Sequence, residues 1–340
     1  MKKIYGFVLI AFLTVMLVGC GSDSDADSAK GETVEKETEK FTVGYMPNYA
    51  SMNSVVAGIE AGSFEEQGLD VELIEFADGP TIIAALESGS IDAGYIGPGA
   101  HVLPIQGQAK IFAFSHLGNA DEVIGNTEKG VESIADLKGK KIGVASGTSS
   151  ETILDLTLQA AGISEDDVTL VDMDASAIVT AMISGGVDAV ATWSPNTNTI
   201  KGEMGDKAVM LTNNATYAEE FPSIASWVAS PSYVEENAET LKMFTKGLYD
   251  GMEYHVENPE EVAKWVAKQS AVDEEAVLEQ TGDGDWKTPD EILVMLNDGT
   301  IEQYYKKQQE NFIESERLTA DDKVEVSEYV LFENMEEAAK

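Results

Sequence analysis

Thr81-Ile82-Ile83-Ala84-Ala85-Leu86 and, after Glu87, Ser88-Gly89-Ser90-Ile91-Asp92-Ala93 return 96 residues later. The second copy reads Ala177-Ile178-Val179-Thr180-Ala181-Met182 and, after Ile183, Ser184-Gly185-Gly186-Val187-Asp188-Ala189. Each stretch reads as a short apolar helix, a Ser-Gly turn and a strand opening with Asp-Ala. One offset held over twelve positions marks an internal repeat and predicts two related lobes.

Outward from these stretches the order is the same in both halves. Phe41–Tyr45 reads as a strand, Ser54–Ala61 as a helix, and Gly68 suits the position just past a helix end. Val71–Phe76 alternates apolar with acidic residues at period two, a strand signal, and Ile91–Ile96 is the third strand. In the second half, Lys141–Val144, Val168–Asp172 and Val187–Thr192 are strands, separated by helices at Glu151–Ala161 and Ala177–Met182. Strands alternating with helices predict an α/β fold, each lobe a mostly parallel sheet flanked by helices. Ligands of such sheets sit outside the carboxyl ends of the strands. The candidate contacts are therefore the residues that follow the strands.

In the first half these are Asn48 and Tyr49, then Gly79, Pro80 and Thr81, then Tyr95 and Gly97. In the second half they are Ser146, Gly147, Thr148 and Ser149, then Asp174, then Trp193. The Ser146–Ser150 loop places four hydroxyls and a glycine at a helix start, more than one N-cap needs. Helix N-termini carry unpaired N–H groups and partial positive charge, so this loop is suited to an anionic oxygen cluster without Lys or Arg. Gly79-Pro80-Thr81 offers a second helix entrance. Tyr49, Tyr95 and Trp193 could supply apolar walls with a polar tip.

The bulk composition limits the alternatives. Acidic residues outnumber basic ones 61 to 22, and Arg317 is the sole arginine. Such a field repels phosphate backbones, which argues against nucleic acid as a partner. The acids are spread along the chain and read as a solvated surface. His101, His116 and His255 lack metal-ligand spacing, so no metal is expected. No nucleophile elbow, phosphate loop or dinucleotide fingerprint is present, and no cofactor or enzymatic activity is expected.

At the start, MKKIYGFVLIAFLTVMLVGC combines a basic n-region, an apolar stretch and Leu17-Val18-Gly19-Cys20. That ending resembles the bacterial lipobox, which makes residues 1–20 a lipoprotein signal peptide and Cys20, the only cysteine, the lipidated residue. Residues 21–40 are small, polar and charged, and read as a flexible tether.

From about Phe41 to Phe312 the chain resembles the substrate-binding components of ABC transporters for sulfonates, taurine and nitrate, a group that includes binders of thiamine pyrimidine precursors. The resemblance is carried by Ala57-Gly58-Ile59-Glu60-Ala61-Gly62-Ser63-Phe64-Glu65-Glu66-Gln67-Gly68-Leu69-Asp70-Val71, by Gly79-Pro80, by Ala85–Asp92, by Asp136–Val144 and by Trp193-Ser194-Pro195. It implies a type II periplasmic-binding-protein fold with two hinge crossings, near Phe114–Val123 and Ser223–Ala229. Lobe 1 would comprise 41–120 and 228–335, and lobe 2 would comprise 121–227. Trp227, at a crossing, becomes a further candidate contact, with Tyr217 and Glu220 behind it. The resemblance implies a lipid-anchored, monomeric protein on the extracytoplasmic face, with a permease and its ATPase as partners. The expected solute is a small anion or zwitterion such as taurine or an aliphatic sulfonate. A pyrimidine precursor and nitrate are the alternatives within the family, and an enzyme or a sensory module on the same scaffold lies outside it.

Overall fold

The computed structural model describes residues 38–340. The signal peptide, Cys20 and residues 21–37 of the tether lie outside the described residues.

Among the described residues, eleven strands form two sheets. In chain order they are β1 (Glu39–Tyr45), β2 (Leu69–Glu75), β3 (Ala93–Ile96), β4 (Lys110–Gly118), β5 (Asp121–Asn126), β6 (Lys141–Val144), β7 (Thr169–Asp172), β8 (Ala189–Trp193), β9 (Ala208–Asn213), β10 (Ile224–Ala229) and β11 (Gly284–Trp286). The first sheet runs β11-β4-β10-β3-β1-β2, and the second runs β7-β6-β8-β5-β9. In each, three strands are parallel and the remaining contacts are antiparallel. The expected α/β architecture of two helix-flanked sheets is present, but the sheets are mixed rather than mostly parallel, because the strands that follow the crossings and the edge strands β9 and β11 pair antiparallel.

The repeat returns in the local structure. Helix α2 (Gly79–Glu87) and helix α4 (Ala175–Ile183) are 96 residues apart at both ends, and α1 (Tyr49–Glu60) and α3 (Ser149–Ala161) follow the first strands of their halves. Asp78 and Asp174 cap α2 and α4 through bonds to the N–H groups of Thr81 and Ser176. Both helices end on a left-handed glycine, Gly89 at φ 69° and Gly185 at φ 70°, a conformation that disfavours residues with a Cβ. The duplicated Asp-Ala is also explained. Asp92 Oδ2 accepts from the Thr42 N–H at 2.7 Å, and Asp188 Oδ2 accepts from the Lys141 N–H at 2.9 Å. Each aspartate thus ties the entry of the third strand to the first strand of its half, at Thr42 within β1 and at Lys141 where β6 opens.

Each lobe has its own core. In the second sheet the strand period of two sorts side chains to two faces. Val123, Ile142, Val144, Ala189 and Ala191 pack on one face, and Ile124 and Val190 on the other. In the first lobe, helix α5 (Ala238–Glu257) buries Leu241, Phe244, Leu248, Met252 and His255, a helical stripe. Phe244 stacks on Phe41 of β1 with ring centroids 4.3 Å apart. The C-terminal helices therefore return to the first lobe. The last element needed below is α6 (Thr300–Glu314).

The chain passes between the sheets twice, from Gly118 to Asp121 and from Asn213 to Ile224. β10 lies wholly in the first sheet, between β4 and β3. The return is therefore complete before Ile224, upstream of the position 228 expected from the sequence, because the Ile224–Ala229 run pairs with lobe 1 strands over its full length. The strand that follows each crossing, β5 or β10, sits antiparallel beside the third parallel strand of its lobe. Asn214 joins the two crossings. Its Oδ1 accepts from the Asp121 N–H at 2.6 Å, and its Nδ2 donates to Asp121 Oδ2 at 2.9 Å and to Ser223 Oγ at 3.1 Å.

Candidate functional site

Between the sheets, at the carboxyl ends of their parallel strands, lies a cavity of about 60 Å³. It is well below the several hundred Å³ typical of drug-sized ligands, so it suits a compact guest. From the first lobe it is lined by Met46, Asn48 and Ala50 after β1, Gly79 at the start of α2, and Tyr95, Gly97, Pro98 and Ala100 around the end of β3. The second lobe contributes Thr148 and Ser149 at the start of α3 and Trp193 and Ser194 after β8. The hinge region adds His116, Gly118, Ala120, Asp121 and Ser223, and the edge strand approach adds Asp283.

Of the residues singled out from the sequence, Asn48, Gly79, Tyr95, Gly97, Thr148, Ser149 and Trp193 are thus brought together. Asn48 also caps α1, its Oδ1 accepting from the Ser51 N–H at 2.9 Å. The others are placed elsewhere. Tyr49 is the first residue of α1 and is fully buried, its N–H bonded to Gln280 Oε1 and its hydroxyl to the Pro259 carbonyl. Pro80 and Thr81 do not line the cavity, and Thr81 closes the capping box with Asp78. Asp174 is spent on capping α4. Trp227 is fully buried in the first lobe, edge-on to Tyr95 and Phe244. Tyr217 packs in the core of the second lobe.

The Ser146–Ser150 loop differs most from expectation. The Ser146 N–H is taken by Asp172 Oδ1 at 3.0 Å and the Gly147 N–H by Glu151 Oε2 at 3.1 Å. The Thr148 hydroxyl donates to the Ala145 carbonyl and accepts from the Ser150 N–H, while the Ser150 hydroxyl donates to the Ala191 carbonyl. A loop of hydroxyls at a helix start attracts carboxylates from its own chain, and in a chain with 61 of them two have filled these amides.

The electrostatics of the cavity are set by Asp121 and Asp283, which the sequence reading did not single out. Asp121 is buried, and burial pushes its carboxyl up, opposed by Ser149 and by the Asn214 amide. Asp283 is pushed up to about 6, first by burial and then by Glu122 and Asp121, with Ser194 and Lys201 opposing the rise. The Ser194 hydroxyl approaches this carboxyl yet makes no hydrogen bond of standard geometry, so it is a free donor or acceptor inside the cleft. His116 is held down at about 3 by burial and by neighbouring His255, so its ring is neutral. Its Nδ1 lies 3.0 Å from the Ser115 hydroxyl, and its ring is stacked on Tyr95 and tilted against Trp286. Among the described lining residues there is no Lys or Arg. The site thus offers two carboxylates, a few hydroxyls and the aromatic walls Tyr95 and Trp193. It can accept hydrogen bonds from a guest more readily than it can donate them.

Known proteins share this architecture. The NMT1/THI5-like family matches residues 50–262. A protein of Brucella abortus (strain 2308), named only as a binding protein, is 36% identical over 260 residues, which cover 76% of this chain and 80% of the relative. The formylaminopyrimidine-binding protein of Halalkalibacterium halodurans is 27% identical over 264 residues, covering 76% and 77%. Among solved structures, the alkanesulfonate-binding protein of Xanthomonas axonopodis pv. citri superposes with a TM-score of 0.65 at 20% identity, covering 87% of this chain and 99% of that one. These are names of binding proteins rather than of enzymes. The chain belongs to the NMT1/THI5-like family, and its two lobes and the cleft between them are those of a solute-binding protein.

Proposed function

We propose that the chain is the extracytoplasmic solute-binding component of an ABC importer, held at the membrane by lipid on Cys20, and that it closes over a small solute carrying nitrogen donors. The observation that carries the ligand class is the pair Asp121 and Asp283 facing one small cavity without a lining cation. Two carboxylates brought together out of water are costly unless a partner neutralises or hydrogen-bonds them. An amine-bearing guest supplies that partner, and a plain anion such as nitrate meets repulsion. A taurine-like zwitterion fits this reading, with its ammonium group toward the carboxylates and its acidic end toward Ser149, Ser194 and the start of α3. An aminopyrimidine is the second reading, supported by the aromatic walls Tyr95 and Trp193 and by the name of the Halalkalibacterium relative. The protein acts as a monomer that hands its solute to a permease with a separate ATPase.

Calorimetry of the purified protein against taurine, ethanesulfonate, nitrate and an aminopyrimidine tests the ligand class. Taurine or the aminopyrimidine is expected to bind at micromolar levels or tighter, and at least tenfold more tightly than ethanesulfonate. Tight binding of nitrate or ethanesulfonate with no binding of either nitrogen donor would overturn the ligand class. For the anchor, labelled palmitate is expected to enter the protein in cells and to be absent from the Cys20→Ser variant. Equal labelling of both would remove Cys20 from its role.

A further inference from the structure

The sole arginine of this acidic chain does not line the cavity. Arg317 follows α6, in the first lobe, and its guanidinium reaches three places at once. Nε pairs with Glu151 Oε2 at 3.1 Å, Nη1 donates to Thr152 Oγ1 at 2.7 Å, and Nη2 donates to the Gly99 carbonyl at 2.9 Å. Glu151 and Thr152 belong to α3 of the second lobe, whereas Gly99 follows β3 of the first. Among the ion pairs of the described residues, Arg317–Glu151 is the one that joins the two lobes. It is also among the most shielded, with the arginine side chain 12% exposed and lying over the Phe312 ring at 5.0 Å.

Both contacts to α3 continue into the solute loop. The Glu151 oxygen that pairs with Arg317 also accepts from the Gly147 N–H, and the Thr152 hydroxyl reaches the Thr148 carbonyl at 3.4 Å. On the other side, Gly99 directly follows Pro98, a lining residue. The planar guanidinium, with its fork of donors, can hold these three acceptors in one geometry, which a lysine ammonium cannot reproduce. Asp155, one turn further along α3, faces the same guanidinium. Burial pushes its carboxyl up to about 7, with Arg317 pulling against that rise and Glu151 and Glu165 adding to it.

We propose that Arg317 is a positioning residue for solute binding: a clasp that holds the two lobes together and fixes the Gly147–Ser149 loop against the cavity, so that its main effect is to slow solute release. The proposal rests on the solute-binding reading and not on the identity of the solute.

The test compares Arg317→Ala, Arg317→Lys and Glu151→Gln with the parent protein. In Arg317→Ala the radius of gyration of the empty protein, from small-angle scattering, is expected to grow. Amide exchange at Gly147 is expected to quicken at least tenfold while exchange in β1 and β3 stays unchanged. With taurine or an aminopyrimidine as the probe, the dissociation rate is expected to rise about tenfold and the association rate to stay within about twofold. Arg317→Lys is expected to restore part of the loss. If Arg317→Ala fails to fold, Glu151→Gln decides. It keeps an acceptor for the Gly147 N–H and removes the ion pair, and it is expected to expand the empty protein as well. Unchanged scattering and exchange in the folded variants would overturn the clasp. If neither probe binds the parent protein, the ligand reading fails, and scattering and exchange still decide the role of Arg317.

Discussion

Gly99→Ala is expected to weaken solute binding by about ten- to a hundredfold while leaving each lobe folded. A Cβ at Gly99 would stand 2.0 Å from the Thr148 carbonyl oxygen and 2.6 Å from the Ser149 nitrogen. Both are backbone atoms of the opposite lobe, at the start of α3, and no side-chain rotation relieves them. The contact can be relieved only by moving the lobes apart or by distorting the loop. Overpacking of this kind costs about 1–3 kcal/mol. Because the clash exists only with the lobes together, that cost falls on the closed form and converts to about one to two powers of ten in affinity. Scattering of the variant should give an empty protein more open than the parent and a smaller compaction on adding solute. Parental affinity in Gly99→Ala would show that Gly99 and Thr148 are not in contact in the solute-bound form. Gly202→Ala is the control, since no atom lies within 4 Å of a Cβ at that position and the residue lies away from the cavity lining.

Lowering the pH from about 7 to about 5 is expected to weaken binding of a nitrogen-donor solute and, at the same time, to stabilise the empty protein. The two trends have opposite signs for one reason. Asp283 has a folded-state pKa of about 6 against an ordinary 3.8, and Asp155 one of about 7. A carboxyl whose folded pKa is raised binds its proton more tightly in the folded state than in the unfolded one. Its presence therefore costs nothing below about pH 4, and it costs stability progressively as the pH rises through 4 to 6 for Asp283 and 4 to 7 for Asp155. At about 1.4 kcal/mol per unit, Asp283 accounts for at most about 3 kcal/mol, an upper figure because both carboxyls are only partly buried. The solute requires the ionised form, so its affinity moves the other way and falls by up to about tenfold per pH unit below 6. Thermal melts at pH 5, 6, 7 and 8 with and without solute measure both trends. Asp283→Asn should flatten the affinity profile, and Asp155→Asn should flatten the stability profile without altering affinity. An affinity that increases as the pH falls would remove Asp283 from the solute's binding partners.

The two predictions draw on different parts of the molecule, and these differ in how legible they are in the sequence. The halves, their order of strands and helices, and the turn that ends each repeated helix were readable because they arise from contacts within a few residues. Asp78 and Asp174 cap helices three or fewer residues away, and Gly89 and Gly185 supply left-handed turns. The equivalence of Asp92 and Asp188 was visible as a repeated Asp-Ala, although its reason, a bond to a backbone N–H of the first strand of each half, was not.

The candidate site divides in the same way. Strand-end loops placed Asn48, Gly79, Tyr95, Gly97, Thr148, Ser149 and Trp193 near the cavity, since in a parallel sheet those loops must share one edge. Tyr49 and Trp227 failed to reach it because side-chain direction depends on more than position. With Asn48 capping α1, Tyr49 begins the helix and turns into the helical layer. In β10, Ser226 bonds the Tyr305 hydroxyl and Trp227 takes the other face. Asp121 could have been suspected from its place at a crossing, where both lobes meet. Asp283 carried no local signal.

The duplicated α/β halves, the caps and turns of their helices, the acidic field and the edge at which a solute would bind are all legible in the chain, because each follows from periodicity, local hydrogen bonding or summed charge. Folding in three dimensions adds that residues 121 and 283 share one cavity, that amides of the serine-rich loop are already occupied by carboxylates, and that the one arginine pairs with a glutamate of the other lobe. Those facts are contacts between residues far apart in the chain. Such contacts are set by how packed layers meet and leave no periodic trace in the segments that make them.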